Sequence, residues 1–318
     1  MKIDFFEQQR INNRKTLFLI FIFLVILGIL GYLIDRFYLN LDFPYATALA
    51  LGFGSFQSFI AYFFGDKLVL LSMKARPANE NDLKEKQVLN IVREMSLASG
   101  MPAPKVYIIP EASPNAFATG RDPRHSSIGV TTGLIETMSR EEIQGVIAHE
   151  MGHVRNKDIL TMTIVSALLG AVVLLSDWAR RILFYSGGKT STKGKREGRG
   201  GGIHPIILIV FLVLAILAPL IARLMALAIS RAREYMADAA SAEFTRNPFA
   251  LAKALEKIAN HYDKVVDRAT QGTAHLFISD PMNKAVNSKE GFFAEMWSTH
   301  PPIQKRIKIL REMAGIYY

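Results

Sequence analysis

The sequence predicts a mainly α chain with a small antiparallel β-sheet, an α+β class, threaded by four helices that cross a membrane. Three observations carry this reading. Four long apolar blocks occupy residues 17–34, 45–64, 159–176 and 203–222. Three short runs of strand-forming residues lie between the second and third blocks, separated by Pro, Gly and Asp. Around them, apolar residues recur at the spacing of amphipathic helices.

Composition narrows the chemistry. Half of the 318 residues are hydrophobic, and they are gathered in blocks. There are no cysteines, so disulfides and thiolate metal sites are excluded and any zinc is left to His and carboxylate ligands. The net charge of +10 suits basic residues that flank membrane segments and meet anionic lipid head groups. No nucleic-acid motif accompanies it. The lipid bilayer is the expected partner, and nucleic acid is not.

Residues 1–71 form the first transmembrane hairpin. A basic start (Lys2, Arg10, Arg14, Lys15) precedes the uncharged run 17–34, which is long enough to cross a bilayer core. A signal peptide would end in small residues; here Asp35-Arg36-Phe37-Tyr38 follows, so the run reads as a retained anchor. In block 45–64, Gly52 and Gly54 suit close helix packing. Lys67, Lys74 and Arg76 come after it. The positive-inside rule then puts both ends of the hairpin in the cytoplasm of a multi-pass inner-membrane protein.

Residues 72–158 read as soluble. Leu83, Val88, Leu89, Ile91, Val92 and Met95 mark a helix over 81–99, closed by Gly100 and Pro102. Strands are expected at Lys105–Ile109, 115–119 and 126–130. Ser139 and Glu142 have capping-box spacing, which starts a second helix. The second hairpin covers 159–222 and includes a Gly-, Lys- and Arg-rich loop at 186–202, expected to be disordered. If both its blocks cross, that basic loop lies outside, against the positive-inside rule, and a hairpin that does not fully span is the alternative; full spanning is the expectation. Residues 223–318 complete the soluble part with helices at 223–244, 249–262 and 302–318.

The helix after Ser139 carries His149-Glu150-Met151-Gly152-His153. Residues four apart on a helix share a face, so His149 and His153 can offer imidazole nitrogens to one metal ion. Glu150 then stands where a general base belongs. Two surface histidines are the plain alternative. A third ligand is needed, and Glu234 stands out, four residues before Asp238 in an Ala-rich helix. Glu234 could ligate, and Asp238 could accept the outer N–H of a ligand histidine; an acidic pair on a solvated face, balanced by Arg231 and Arg233, is the other reading. A helical hairpin between the two motifs returns the chain to the same membrane side and brings them together.

These two motifs, with Pro114-Asn115-Ala116-Phe117-Ala118-Thr119-Gly120 and Ser298-Thr299-His300-Pro301-Pro302 plus Arg306, resemble the HtpX type of membrane zinc metalloproteases, gluzincins related to the CAAX prenyl endopeptidases. The resemblance runs along nearly the whole chain. It implies a zincin-like catalytic domain in two parts, 72–158 and 223–318, and one zinc per chain on His149, His153 and Glu234. It also implies Glu150 and His300 as catalytic residues, His300 stabilising an oxyanion. Asn115, Ala116, Phe117 and Ala118 would be a substrate-binding edge strand, with Arg306 touching substrate or orienting the His300 loop. Substrates are then extended polypeptides, in particular misfolded or damaged membrane and membrane-proximal proteins. A homo-oligomer or an assembly with other membrane quality-control proteases is the partner expectation. Two competing readings are a processing peptidase for lipidated or specific tails, and a non-enzymatic zinc-containing membrane scaffold. The scaffold has no need of Glu150. His125, His204, His261 and His275 lack ligand spacing and read as structural or surface residues.

Overall fold

A computed structural model describes residues 5–39, 42–168, 231–260, 276–278 and 301–316. The first two helices, α1 (Phe5–Leu33) and α2 (Tyr45–Ser72), pack as an antiparallel pair. A π-helical turn, Ile34–Leu39, ends the first. Its Asp35 carboxylate accepts the Ala46 and Thr47 backbone N–H groups at 2.8 Å each, capping α2 from the neighbouring helix. Gly31 lies against the Thr47 backbone, where an added Cβ would meet Thr47 Cα at 2.5 Å. Both helices are long and apolar enough to cross a membrane, over Arg10–Arg36 and Tyr45–Ser72. Large apolar side chains such as Leu17, Phe18, Leu49, Phe56 and Phe59 stand exposed along them, as a lipid-facing surface would require.

The other two of the four expected spans are not shown among the described residues. The described part of the third block, α6 (Asp158–Leu168), is a shorter apolar helix. It is buried rather than lipid-facing: Leu160, Ile164, Val165 and Leu168 pack with Phe23 of α1 and Ala61 of α2. The fourth block and the basic loop 186–202 lie outside the described residues.

The sheet departs from expectation. It has four strands in the order β1-β2-β4-β3, namely β1 (Arg76–Pro77), β2 (Lys105–Ile109), β3 (Ala116–Asp122) and β4 (His125–Thr131). β3 and β4 form an antiparallel hairpin, and β4 takes the place beside β2, so β2 and β4 run parallel. The sheet is therefore mixed. Three closely spaced strands read most simply as a meander, in which every neighbour is antiparallel; the hairpin turns over and defeats that reading. The result matters for function, because β3 is left at the edge.

On the other side of β4, Thr131 caps the short helix α4 (Thr132–Thr137). Helix α3 (Leu83–Ser99) and helix α5 (Arg140–Arg155) pack on the sheet. Asp82 caps α3 by accepting the Lys84 and Glu85 N–H groups, and Gly100 closes it in the left-handed conformation. The Ser139–Glu142 capping box of α5 is formed in both directions. Helices α7 (Arg231–Thr245), α8 (Pro248–Asn260) and α9 (Ile303–Met313) cover the far side of α5. The shared core runs through Ile91 and Val92 of α3, Ile108, Ile128 and Val130 of the sheet, Val146, Ile147 and Met151 of α5, Leu251 and Leu255 of α8, and Leu310 of α9.

Candidate metal centre

Close approach of α5 and α7 builds the site. At Gly152, between the two histidines, an added Cβ would meet Ala237 Cα and Ala240 Cβ at 3.0 Å each. The Ser241 hydroxyl donates to Gly145 O at 2.8 Å one level further along. Small residues on both helices let the backbones come together, and the polar side chains above them meet.

They meet as the sequence predicts. His149, His153 and Glu234 are buried, and one ligand atom from each lies within 4.8 Å of the others. Glu234 Oε1 is 3.5 Å from His153 Nε2, and its Oε2 is 3.8 Å from His149 Nε2. Ligand atoms at about 2.0–2.1 Å from a tetrahedral zinc are roughly 3.4 Å apart, so the three groups stand slightly wider than a loaded site. The rings sit edge to face at 4.9 Å.

Each ring turns its other nitrogen to a carboxylate. His149 Nδ1 lies 3.0 Å from Asp238 Oδ1, the contact expected from the sequence. His153 Nδ1 lies 3.3 Å from Asp158 Oδ2, a partner that sequence reasoning missed. Protons on both Nδ1 atoms leave both Nε2 atoms facing Glu234, the arrangement that orients metal-binding imidazoles.

Glu150 is buried beside this group, and its Oε1 has no hydrogen-bond partner among the described residues. The Ala118 backbone N–H of β3 donates to its carboxylate. Burial pushes its pKa up to about 7; the neighbouring Glu234 adds to the rise, while His153 and Arg306 oppose it. A buried carboxylate with an unused oxygen beside a converged His/His/Glu set fits a metal-activated water. The donor set, with no thiolate, fits zinc.

Charges differ between the two histidines. Among the side chains alone, burial pulls the His149 pKa down to about 4, with Arg306 nearby reinforcing it and Asp238 opposing. His153 is also penalised by burial. The Asp158 hydrogen bond and the Glu234 and Glu150 charges outweigh that penalty and push it up to about 9.

Arg306, expected to touch substrate or orient the His300 loop, has different partners. It is fully buried, donates to both oxygens of Asp238 at 2.9 and 2.7 Å, and brings Nη1 to 3.3 Å from Glu234 Oε2. Its Nη2 also lies 3.4 Å from both ring nitrogens of His149, so it borders two candidate ligands, His149 and Glu234, as well as Asp238 behind them. Burial opposes its charge, but the Asp238 charge and hydrogen bond together with the Glu234 and Glu150 charges outweigh burial and keep it charged, and Arg306 in turn holds the Asp238 pKa low. Its Nη1 also donates to Ile278 O at 3.0 Å.

The predicted substrate strand does sit at the sheet edge and is buried over Ala116–Thr119. Several of its outward groups are already in use. Ala116 O accepts the Ile278 N–H at 3.1 Å, and Gly120 N–H donates to Thr163 Oγ1 at 3.0 Å. Asn115 Oδ1 accepts the Ala116 N–H at 3.1 Å, and Phe117 meets Phe277 edge to face at 5.4 Å. His300 lies outside the described residues.

Comparison with known proteins agrees with this chemistry. The family model described as Peptidase family M48 matches residues 82–314. A "Protease HtpX homolog" from Caldanaerobacter subterraneus subsp. tengcongensis is 45% identical over 98% of this chain and 99% of its own. Another, from Thermoanaerobacter pseudethanolicus, is 44% identical over 97% of each. A solved structure of S. mikatae Ste24p is a looser likeness, at a TM-score of 0.47 and 20% identity over 90% of this chain and 61% of that one. The chain belongs to peptidase family M48 and is a metalloendopeptidase of the HtpX type.

Proposed function

We propose that this protein is an integral-membrane zinc endopeptidase that cleaves misfolded or damaged membrane and membrane-proximal polypeptides from the cytoplasmic side. One observation carries the enzymatic reading: His149, His153 and Glu234 converge, with the Glu150 carboxylate buried beside them and one oxygen unengaged. Zinc, when bound, supplies Lewis acidity that activates a water and polarises the scissile carbonyl. Glu150 takes the proton from the water and delivers it to the leaving amine. His300 donates to the oxyanion as it develops.

Extended substrate pairs with the outer edge of β3, where Ala116 O offers an acceptor. To do so it replaces the Ile278 N–H now held there. Arg306, through the Nη1 that reaches Ile278 O, supplies a donor to the same substrate backbone. The apolar pair α1 and α2 keeps this edge near the bilayer, which supports membrane-derived substrates. Two further spans within 159–222 and a cytoplasmic catalytic domain belong to the same reading.

The test is digestion of an unfolded protein in detergent by the zinc-loaded chain, beside a chelated sample and Glu150→Gln. Cleavage by the loaded wild type alone is expected. Equal cleavage by Glu150→Gln refutes the mechanism, and none by any sample favours a scaffold.

A further inference from the structure

Residue Asn12, on the amino-terminal helix, lies in the polar start of the first candidate span and outside the stretch that matches the family model. It is nevertheless buried, at 1% exposure. Its Nδ2 donates to Asp158 Oδ1 at 2.6 Å and to Asn156 O at 3.0 Å. Arg233 Nη1 reaches the same Oδ1 at 3.4 Å. The other oxygen, Oδ2, faces His153 Nδ1. Asp158 is thus a buried carboxylate held on one side by α1 and α7 and turned on the other towards a metal ligand.

The backbone explains why an outside hand is needed. Between α5 and α6 the chain breaks at Asn156 and Lys157, the latter in the left-handed region at φ 56°. Asp158 therefore does not inherit its direction from the helix that carries His153. Its direction comes from what its oxygens bind.

We propose that Asn12 is a positioning residue of the metal centre: by fixing Asp158, it orients His153 so that Nε2 faces Glu234. The membrane helix α1 then does more than anchor the protein. The inference rests on His153 being a metal ligand. Carboxylates behind metal-binding histidines commonly contribute ten- to a hundredfold in metal affinity, and Asn12 acts through one.

Thr16 supplies the control. It lies one turn on, in the same buried contact, where its hydroxyl meets Thr161 Oγ1 at 2.7 Å without touching Asp158. The experiment uses the full chain in detergent. Zinc dissociation constants are measured by chelator competition for the wild type, Asn12→Leu, Asn12→Ala, Thr16→Val and His153→Ala, with the metal-free thermal midpoint recorded for each. Visible spectra of the cobalt(II)-loaded proteins report ligand geometry.

Both Asn12 variants are expected to weaken zinc about tenfold or more beyond Thr16→Val, and to shift the cobalt bands, while Thr16→Val lowers only the thermal midpoint. If Asn12→Leu does not fold, the smaller Asn12→Ala decides. Asn12 variants with the zinc affinity and cobalt spectrum of Thr16→Val overturn the proposal, because docking of α1 is then all that Asn12 provides. Full zinc affinity in His153→Ala overturns the ligand assignment itself, and the proposal with it.

Discussion

Gly152→Ala adds one methyl group where α5 and α7 touch. The new Cβ would stand 3.0 Å from Ala237 Cα and Ala240 Cβ, and 3.3 Å from Ala237 Cβ. Carbon atoms rest at about 3.5–4.0 Å, so the helices must separate by roughly half an ångström. The obstructing atoms are backbone and the first side-chain carbon, neither of which can swing away. Overpacking of this kind costs about 1–3 kcal/mol, offset by about 1 kcal/mol from the better helix propensity of Ala. Net stability should fall by no more than about 2 kcal/mol, a thermal shift of a few degrees. The metal centre should suffer more. Glu234 rides on α7 while both histidines ride on α5, and ligand distances tolerate only about 0.2 Å. Zinc affinity is expected to drop at least about tenfold, measured by chelator competition beside thermal melts. Gly52→Ala, with nothing within 4 Å of the added Cβ, is the control. Unchanged zinc affinity in Gly152→Ala would refute the claim that helix approach at this glycine sets the ligand geometry.

Three further outcomes are expected. Glu150→Gln should retain stoichiometric zinc by metal analysis while turnover falls by about 10²–10⁴, the usual worth of a general base. Glu234→Ala should lose stoichiometric zinc; full occupancy would remove it from the ligand set. Zinc affinity should depend on pH in one direction. His153, raised to about 9, holds a proton below that pH which the metal must displace, whereas His149, lowered to about 4, is already neutral. Affinity therefore weakens as pH falls, about a hundredfold between roughly pH 8 and pH 6. Isothermal titrations that give one constant across that window would show that His153 is not protonated in the metal-free protein.

Local signals in the sequence were the readable ones. Ser139 and Glu142 announce the start of α5, and the spacing of His149 and His153 puts both on one face of it. Glu234 and Asp238 share a face of α7 in the same way, and the three strand positions are recognisable from their turn residues. What escaped depends on three-dimensional order. β1 is two residues long and contains Pro77, too short to show alternation. The parallel pairing of β2 with β4 follows from which hairpin strand turns inward, and no residue encodes that by itself. Asp158 follows a break in the helix, so its distance from His153 in sequence says nothing about direction. Arg306 illustrates the same limit. The resemblance marks it as a contact to substrate or to the His300 loop, and in the fold it is a buried counter-ion to Asp238 and Glu234.

That counter-ion also imposes an order of events on synthesis. His149 and His153 leave the ribosome first, then Glu234 and Asp238, and the guanidinium that balances them arrives only with α9. Until then the two carboxylates have lost a neighbour that brings both Nε and Nη2 to Asp238 and Nη1 to Glu234. Arg306 helps hold the Asp238 carboxyl low, so without it Asp238 is a poorer acceptor for the outer N–H of His149. A chain made only as far as α7 therefore lacks the guanidinium that holds Asp238 behind His149.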